Sequence, residues 1–228
     1  MKISKNVSEK FQQLTKKHIC KVCFKDINHI SLTSLINKND CLCFECFKKM
    51  NYKPQFSHIG KYQCLSLADY KEPLSSTLIN FKENLDVELS AVFLNYYCSL
   101  LKLFYFSYNI VIIPSSSEKE KERGFSHLHE MFKCLNLPFL DVLIKESGFT
   151  QKKSNKQQRE KNASSFKIEN GEAIRNKKIL VVDDVITTGS SLKACVKLLE
   201  NFNPKKIKIL LIMRDSSTDK YTDLFSKD

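Results

Sequence analysis

The chain has 228 residues, 37 basic against 25 acidic for a net charge of +12, and 42% of them are hydrophobic. That length holds one domain of ordinary size plus a small module, and the apolar share suffices for a sizeable core. The longest charge-poor stretch, residues 87–114, is broken by Lys102, so neither half reaches membrane-spanning length. The lysine-rich first twenty residues lack an apolar signal core, which predicts a cytoplasmic chain whose nine cysteines are reduced. The positive balance favours polyanionic partners, either phosphorylated metabolites or nucleic acid.

In chain order, a polar lead-in precedes Cys20-x-x-Cys23 and Cys43-x-x-Cys46, with nineteen residues between the pairs. Two such pairs read as one tetrahedral zinc site, and thiolate softness favours Zn²⁺ or an iron site over Mg²⁺. Cys41 is a spare sulfur able to replace Cys43. Phe24, Phe44 and Phe47 are expected to pack around this small site. Residues 50–61, with Pro54 and Gly60, read as a linker. Residues 66–85 resemble strand, turn and amphipathic helix, and residues 89–106 a strongly apolar helix. A short buried strand follows at 110–113 and ends at Pro114. Residues 125–135 are helical, and 141–144 form a further strand. His127 and His129 sit two apart, too divergent on a helix for joint ligation, and read as surface or packing residues. Cys64, Cys98, Cys134 and Cys195 lie singly in apolar contexts and read as core. Residues 151–161 carry five basic residues against one acid and read as a mobile loop.

The densest signal is residues 179–191, ILVVDDVITTGSS. The β-branched run 179–182 predicts a strand buried on both faces of a parallel sheet. Asp183 and Asp184 fall where that strand is expected to end, the place where open α/β sheets bind ligands. Thr187, Thr188, Gly189, Ser190 and Ser191 then offer hydroxyls and amides at a helix start, a setting suited to phosphate. Leu192, Val196, Leu199 and Phe202 give the helix one apolar stripe. Asn203 and Pro204 end it, and 207–213 form another buried strand. Strands alternating with helices predict an α/β fold: a parallel sheet with helices on both faces, preceded by a small zinc-ribbon-like module. The expected division is residues 1–60 for the module and linker, and 61–228 for the main domain.

The acid pair and threonine–glycine loop resemble the phosphoribosyl-pyrophosphate (PRPP) signature of type I phosphoribosyltransferases. The resemblance implies a Rossmann-like fold in which Asp183 and Asp184 hold the ribose hydroxyls and residues 187–191 grip the 5′-phosphate, with Mg²⁺ accompanying PRPP. With the double CxxC element, the chain is similar to the ComF (also GntX-like) competence-protein family. Its further landmarks are a strand with a proline loop, then Arg123-Gly124-Phe125, which by analogy contact pyrophosphate. A basic loop carries Gln151, Arg159, Asn162 and Phe166. Here Ser115 and Ser116 stand where the family has its second proline. Ser126-His127 replaces the usual Asn-Gln. The resemblance therefore supports substrate binding better than turnover, and Arg123 and Arg159 are the catalytic candidates.

Arginine is scarce: 33 of the 37 basic residues are Lys, and the rest are Arg123, Arg159, Arg175 and Arg214. Where lysine is the default cation, arginine suggests a need for planar guanidinium geometry, with Arg175 incidental. Two functions follow. One is a phosphoribosyltransferase acting on an unidentified acceptor. The other is a non-catalytic competence accessory that engages single-stranded DNA or a DNA-uptake protein through its zinc module and basic surface. Residues 1–53 carry eleven Lys against four acids, enough for a phosphate-tracking surface.

Overall fold

The computed structural model of the chain describes residues 19–27, 41–115, 117–145 and 166–215. Its centre is a five-stranded sheet in the order β1-β2-β7-β6-β3, formed by Gln55–Ile59 (β1), Tyr62–Asp69 (β2), Tyr108–Ile112 (β3), Lys178–Ile186 (β6) and Lys206–Arg214 (β7). β2, β7, β6 and β3 pair in parallel, and β1 closes one edge as an antiparallel hairpin with β2. Leu143–Lys145 (β4) and Phe166–Ile168 (β5) form a separate antiparallel pair. The sheet is therefore α/β as the alternation of elements predicted.

The strand pleat divides the core in two. Ile110, Leu180, Val182, Leu210 and Ile212 face one side. There they meet the helices Leu74–Glu83 (α2), Ser90–Leu94 (α3), Cys98–Tyr105 (α4) and His127–Phe132 (α6). Val111, Ile179, Val181, Ile209 and Leu211 face the other side, against Ser190–Glu200 (α7) and the β4-β5 pair. Leu192, Val196 and Leu199 are buried on α7 as the helical spacing predicted, joined by Cys195, while Phe202 lies beyond the helix end and is only partly buried.

Three local readings are corrected. The expected linker at 50–61 contains β1; its mostly exposed, polar residues suit an edge strand, and Pro54 and Gly60 merely bracket it. The expected helix at 89–106 is broken. Tyr97 N–H donates to Leu94 and Cys98 N–H to Asn95, tightening the chain into a turn. The two halves meet at 66°, which lets each pack an apolar side inward. The motif strand runs to Ile186 rather than stopping at Val182, so Asp183 and Asp184 lie within it.

The cysteine segment, including helix Phe44–Met50 (α1), packs against α3 and the turn before it. Tyr52 Oη donates to the Val92 carbonyl at 2.6 Å, and the Phe47 and Tyr96 rings lie 4.1 Å apart. Lys21 pairs with Glu88. Phe24 and Phe44, expected around the cysteines, are instead 75% and 69% exposed. Four convergent sulfurs organise the segment, so it needs no aromatic core of its own. Among the described residues no single helix is long and apolar enough to cross a membrane.

Candidate functional site

At the amino-terminal end, the Sγ atoms of Cys20, Cys23, Cys43 and Cys46 lie within 4.8 Å of one another. Each pair sits on a tight turn. Phe24 N–H donates to the Cys20 carbonyl at 2.9 Å with Phe24 at φ 59°, and Cys43 caps α1 with its sulfur toward the Cys46 amide at 3.5 Å. Sulfurs at tetrahedral Zn–S distance of about 2.3 Å stand about 3.8 Å apart; Cys23 and Cys43 are separated by 3.7 Å. The spare Cys41 is elsewhere, its thiol donating to the Ala91 carbonyl at 3.3 Å. Burial opposes ionisation at Cys20, but amides of Cys43, Cys23 and Val22 outweigh it and bring the thiol to about 7. Burial and the neighbouring thiols push Cys46 up. Four close thiols cannot all ionise unaided, so the donor set suits a soft dication such as zinc.

The second site lies at the carboxyl end of β6. Because successive strand residues face opposite sides, the adjacent acids have different surroundings. Asp184 points to the side bearing α2 and α6. Its Oδ2 lies 2.7 Å from His127 Nε2 and pairs with Lys82 Nζ. His127 and Asp184 are only 4% and 6% exposed. Burial disfavours the Asp184 charge, but the His127 hydrogen bond and Lys82 overcome it and hold the carboxyl down to about 2. An ionised acceptor assigns the proton to His127 Nε2. Asp183 lies toward the other side, feels the charges of Lys82 and then Lys145, and accepts the Asp184 N–H at 2.9 Å. Burial, then the Asp184 charge, pushes its carboxyl well up.

Beyond the acids, Gly189 takes φ +70°, a backbone that L side chains resist, and its carbonyl accepts the Lys193 amide at 2.8 Å to start α7. Thr187 and Thr188 are exposed, Ser190 and Ser191 half-buried, and the hydroxyls of Thr188 and Ser190 lie 3.1 Å apart. The first amides of α7 have no carbonyl one turn back, so this loop presents donors beside the acids.

Helix Ser117–Arg123 (α5) leads to Gly124. Gly124 has φ +74°, and a Cβ added there would meet nothing within 4 Å, so backbone conformation requires the glycine and the space outside is open. Arg123 is not free: its Nη2 donates to Glu83 Oε1 at 3.0 Å. Three consecutive residues at the end of α2 thus reach separate parts of the site. Phe81 packs on Phe125 with ring centroids 5.6 Å apart, Lys82 pairs with Asp184 and Glu83 pairs with Arg123.

Sequence reasoning missed Lys82, Glu83 and His127. His127 was read as packing or surface, and is instead the buried partner of Asp184; His129 does pack, its ring 4.3 Å from Phe139. The one sequence signal for Lys82 was a charge after an otherwise uncharged helix run, residues 74–81. Arg175 pairs on the surface with Glu172, and Arg214 with Asp69 at 3.4 Å. Arg159, Gln151 and Asn162 lie outside the described residues. Phe166 is buried in β5.

Residues 121–224 match the phosphoribosyl transferase domain family. The chain is 30% identical over 145 residues to Competence protein ComFC of Streptococcus pneumoniae (strain ATCC BAA-255 / R6), covering 64% of this chain and 65% of that protein. It is 30% identical over 152 residues to Competence protein ComFC of Bacillus subtilis (strain 168), covering 65% and 63%. The matched region thus spans just under two thirds of each relative's length. Among solved structures, it aligns with adenine phosphoribosyl transferase from Trypanosoma brucei in complex with AMP, pyrophosphate and ribose-5-phosphate. That alignment has 15% identity and a TM-score of 0.40, covering 80% of this chain and 72% of the other. The match to the phosphoribosyl transferase domain covers the α6, β6 and α7 region, and the four-cysteine element precedes it. Both relatives, at 30% identity, are ComFC competence proteins.

Proposed function

We propose that the chain binds PRPP at the carboxyl end of β6 and presents it for phosphoribosyl transfer to an acceptor. The observation that carries this reading is the donor loop 187–191 at the start of α7, set directly after the strand that holds Asp183 and Asp184. The loop amides and hydroxyls of Thr187, Thr188, Gly189, Ser190 and Ser191 hold the 5′-phosphate. Asp183, whose carboxylate pairs with no lysine or histidine among the described residues, accepts from a ribose hydroxyl. Asp184, fixed by His127 and Lys82, accepts from the second. Arg123, with Gly124 keeping the approach open, turns from Glu83 to the diphosphate, and Arg159 adds a second cation.

The protein offers Mg²⁺ no ready seat. Asp184 Oδ2 already has two partners, burial and the Asp184 charge push the Asp183 pKa up, and among the described residues the four cysteines are the sole clustered metal donors. A magnesium ion would be carried by the oxygens of PRPP itself. The cysteine site fits Zn²⁺, held by Cys20, Cys23, Cys43 and Cys46, which would supply structural cross-linking.

Calorimetric titration of PRPP with Mg²⁺ into the full chain tests the reading. Saturable binding that is lost in Gly189→Val supports it; heat equal to the buffer blank, with the protein folded, overturns it. A second reading is a competence accessory that binds single-stranded DNA or a DNA-uptake protein. It is favoured by the ComFC relatives' names and the charge of +12. Its mark is oligonucleotide binding with a salt slope of about 0.7 per phosphate neutralised.

A further inference from the structure

The cysteines that sequence reasoning assigned to the core fall into two kinds. Cys64 and Cys195 are buried, and burial pushes each thiol up to about 12. Cys98 and Cys134 are only half-buried, and the fold brings them together from positions 36 residues apart. Cys98 opens α4; its Sγ donates to the Cys134 carbonyl at 2.7 Å and lies within hydrogen-bonding reach of the Cys134 sulfur. Cys134 sits in the 3-10 turn Lys133–Leu135 that follows α6. Neither residue belongs to the four-cysteine cluster.

The two thiols are chemically unequal. The Cys134 thiol hydrogen-bonds the Cys98 sulfur and favours its thiolate. Burial opposes this, Lys102 one turn along α4 supports it, and the Cys98 thiol comes to about 7. The bond to Cys98, then burial, pushes the Cys134 thiol well up. One sulfur is therefore nucleophilic at neutral pH while its neighbour keeps a proton, which is the division between an attacking and a resolving cysteine. A cysteine that only fills core space needs neither access to solvent nor a second sulfur beside it.

We propose that Cys98 and Cys134 form an oxidation site that hydrogen peroxide closes to a disulfide. The Cys98 thiolate attacks one peroxide oxygen. An S–O bond forms, the O–O bond breaks, and the departing hydroxide takes a proton from solvent to become water. The Cys134 thiol then attacks the sulfenic sulfur. The S–S bond forms, the S–O bond breaks, and the hydroxyl leaves with the Cys134 proton as a second water. Two thiols lose two electrons and one peroxide gains them. The position of the bond gives it a consequence. Tyr97, next to Cys98, meets the Tyr52 ring edge-on at 5.8 Å, and Tyr96 lies against Phe47, so the turn before α4 seats the cysteine segment. α6, just before Cys134, carries the His127 that partners Asp184. The disulfide staples that seat to the helix supporting the ligand site.

The full chain, reconstituted with zinc, is treated with one equivalent of hydrogen peroxide, alkylated and mapped by peptide mass spectrometry. A Cys98–Cys134 linked peptide is expected, reversed by dithiothreitol, with zinc content unchanged. Cys98 should react at least about tenfold faster than Cys64 or Cys195, because only its sulfur is both accessible and ionised. The melting temperature of the oxidised chain should rise by at least about 4 °C, the lower end for a cross-link in a chain this size. Cys134→Ser should leave a Cys98 sulfenic acid that dimedone traps, and Cys98→Ser should give no such label. Three outcomes on the wild-type chain overturn the proposal: Cys98 still open to alkylation once the zinc-site cysteines have oxidised, Cys98 or Cys134 linked to Cys41 instead, or a linked chain that melts no higher than the reduced one. Dimedone labelling at Cys134 in Cys98→Ser would overturn the assignment of the attacking sulfur.

Discussion

His127 Nε2 lies 2.7 Å from Asp184 Oδ2, with both residues buried. The contact makes Asp184 part of the fold as well as of the ligand site. Its folded-state pKa of about 2 lies below the ordinary 3.8, so its stabilisation is present above the ordinary value. It is lost as pH falls through the folded one. Expected at neutral pH is about 2 kcal/mol of stability that disappears on acidification, on the scale of about 1.4 kcal/mol per pKa unit. Denaturant melts from pH 6 downward check it: in His127→Gln the acid-side loss should shrink.

Lys82 makes the same carboxylate depend on α2. Removing one partner of a buried pair leaves the other charge uncompensated, at about 3 kcal/mol. Lys82→Met should destabilise by that order, and Lys82→Met with Asp184→Asn should recover part of it. A double-mutant cycle by chemical denaturation measures the coupling, which should reach at least about 0.5 kcal/mol for groups in contact.

Asp183 behaves in the opposite sense. Its raised pKa means that the folded chain holds the proton more tightly than the unfolded one, so stability falls as pH rises above the ordinary carboxylate value. Asp183→Asn keeps an oxygen for the Asp184 amide and removes a carboxyl whose charge its surroundings and Asp184 disfavour. The variant is expected to melt higher at neutral pH, by about 2–4 °C for each kcal/mol gained in a chain this size, while losing PRPP affinity. Thermal melts and calorimetry on one preparation test both halves. A lower melting temperature contradicts the burial account.

How much of this was legible in the sequence follows from where the partners lie. Residues 179–191 hold a strand, two acids, a donor loop and a helix start in one contiguous run, so local pattern was enough. The cysteine pairs were legible for the same reason. Lys82, Glu83 and His127 reach the site from other helices; Lys82 meets an acid about a hundred residues away, and no local period encodes that pairing. The extra reach of β6 was illegible because polar Asp183 and Asp184 end the apolar run, while pairing of Asp183 with Leu211 and Val185 with Met213 continues the strand. β1 failed for the converse reason: an edge strand has little burial to impose alternation.

The four-cysteine cluster predicts about one zinc per chain, since four thiolates fill one tetrahedral site. Cys43→Ser should lose the metal and loosen the contact between the cysteine segment and α3. Cys41→Ser should retain it, because that sulfur already bonds the Ala91 carbonyl. Elemental analysis of the two variants, with melts before and after chelation, decides the matter. Full stability after chelation would sink the structural role.

The arginines give the sharpest test of the phosphate reading. Arg123 now spends its guanidinium on Glu83, a carboxylate that is itself largely solvent-exposed and so a weak competitor. A diphosphate offers a forked, doubly charged acceptor to the same group and should displace it. Arg123→Lys keeps the charge and loses the fork, so PRPP binding should weaken by about 1–2 kcal/mol, the scale of one charge-assisted hydrogen bond. Glu83→Gln removes the competitor and should tighten binding by a smaller amount. Arg159→Lys should weaken binding as Arg123→Lys does. Arg175→Lys, at a surface pair with Glu172, should change nothing and serves as the control. Calorimetric affinities for the four variants in parallel give the answer. If Arg123→Lys and Arg159→Lys bind like the parent, neither arginine grips phosphate. If Glu83→Gln weakens binding instead of tightening it, Glu83 positions the arginine rather than competing for it.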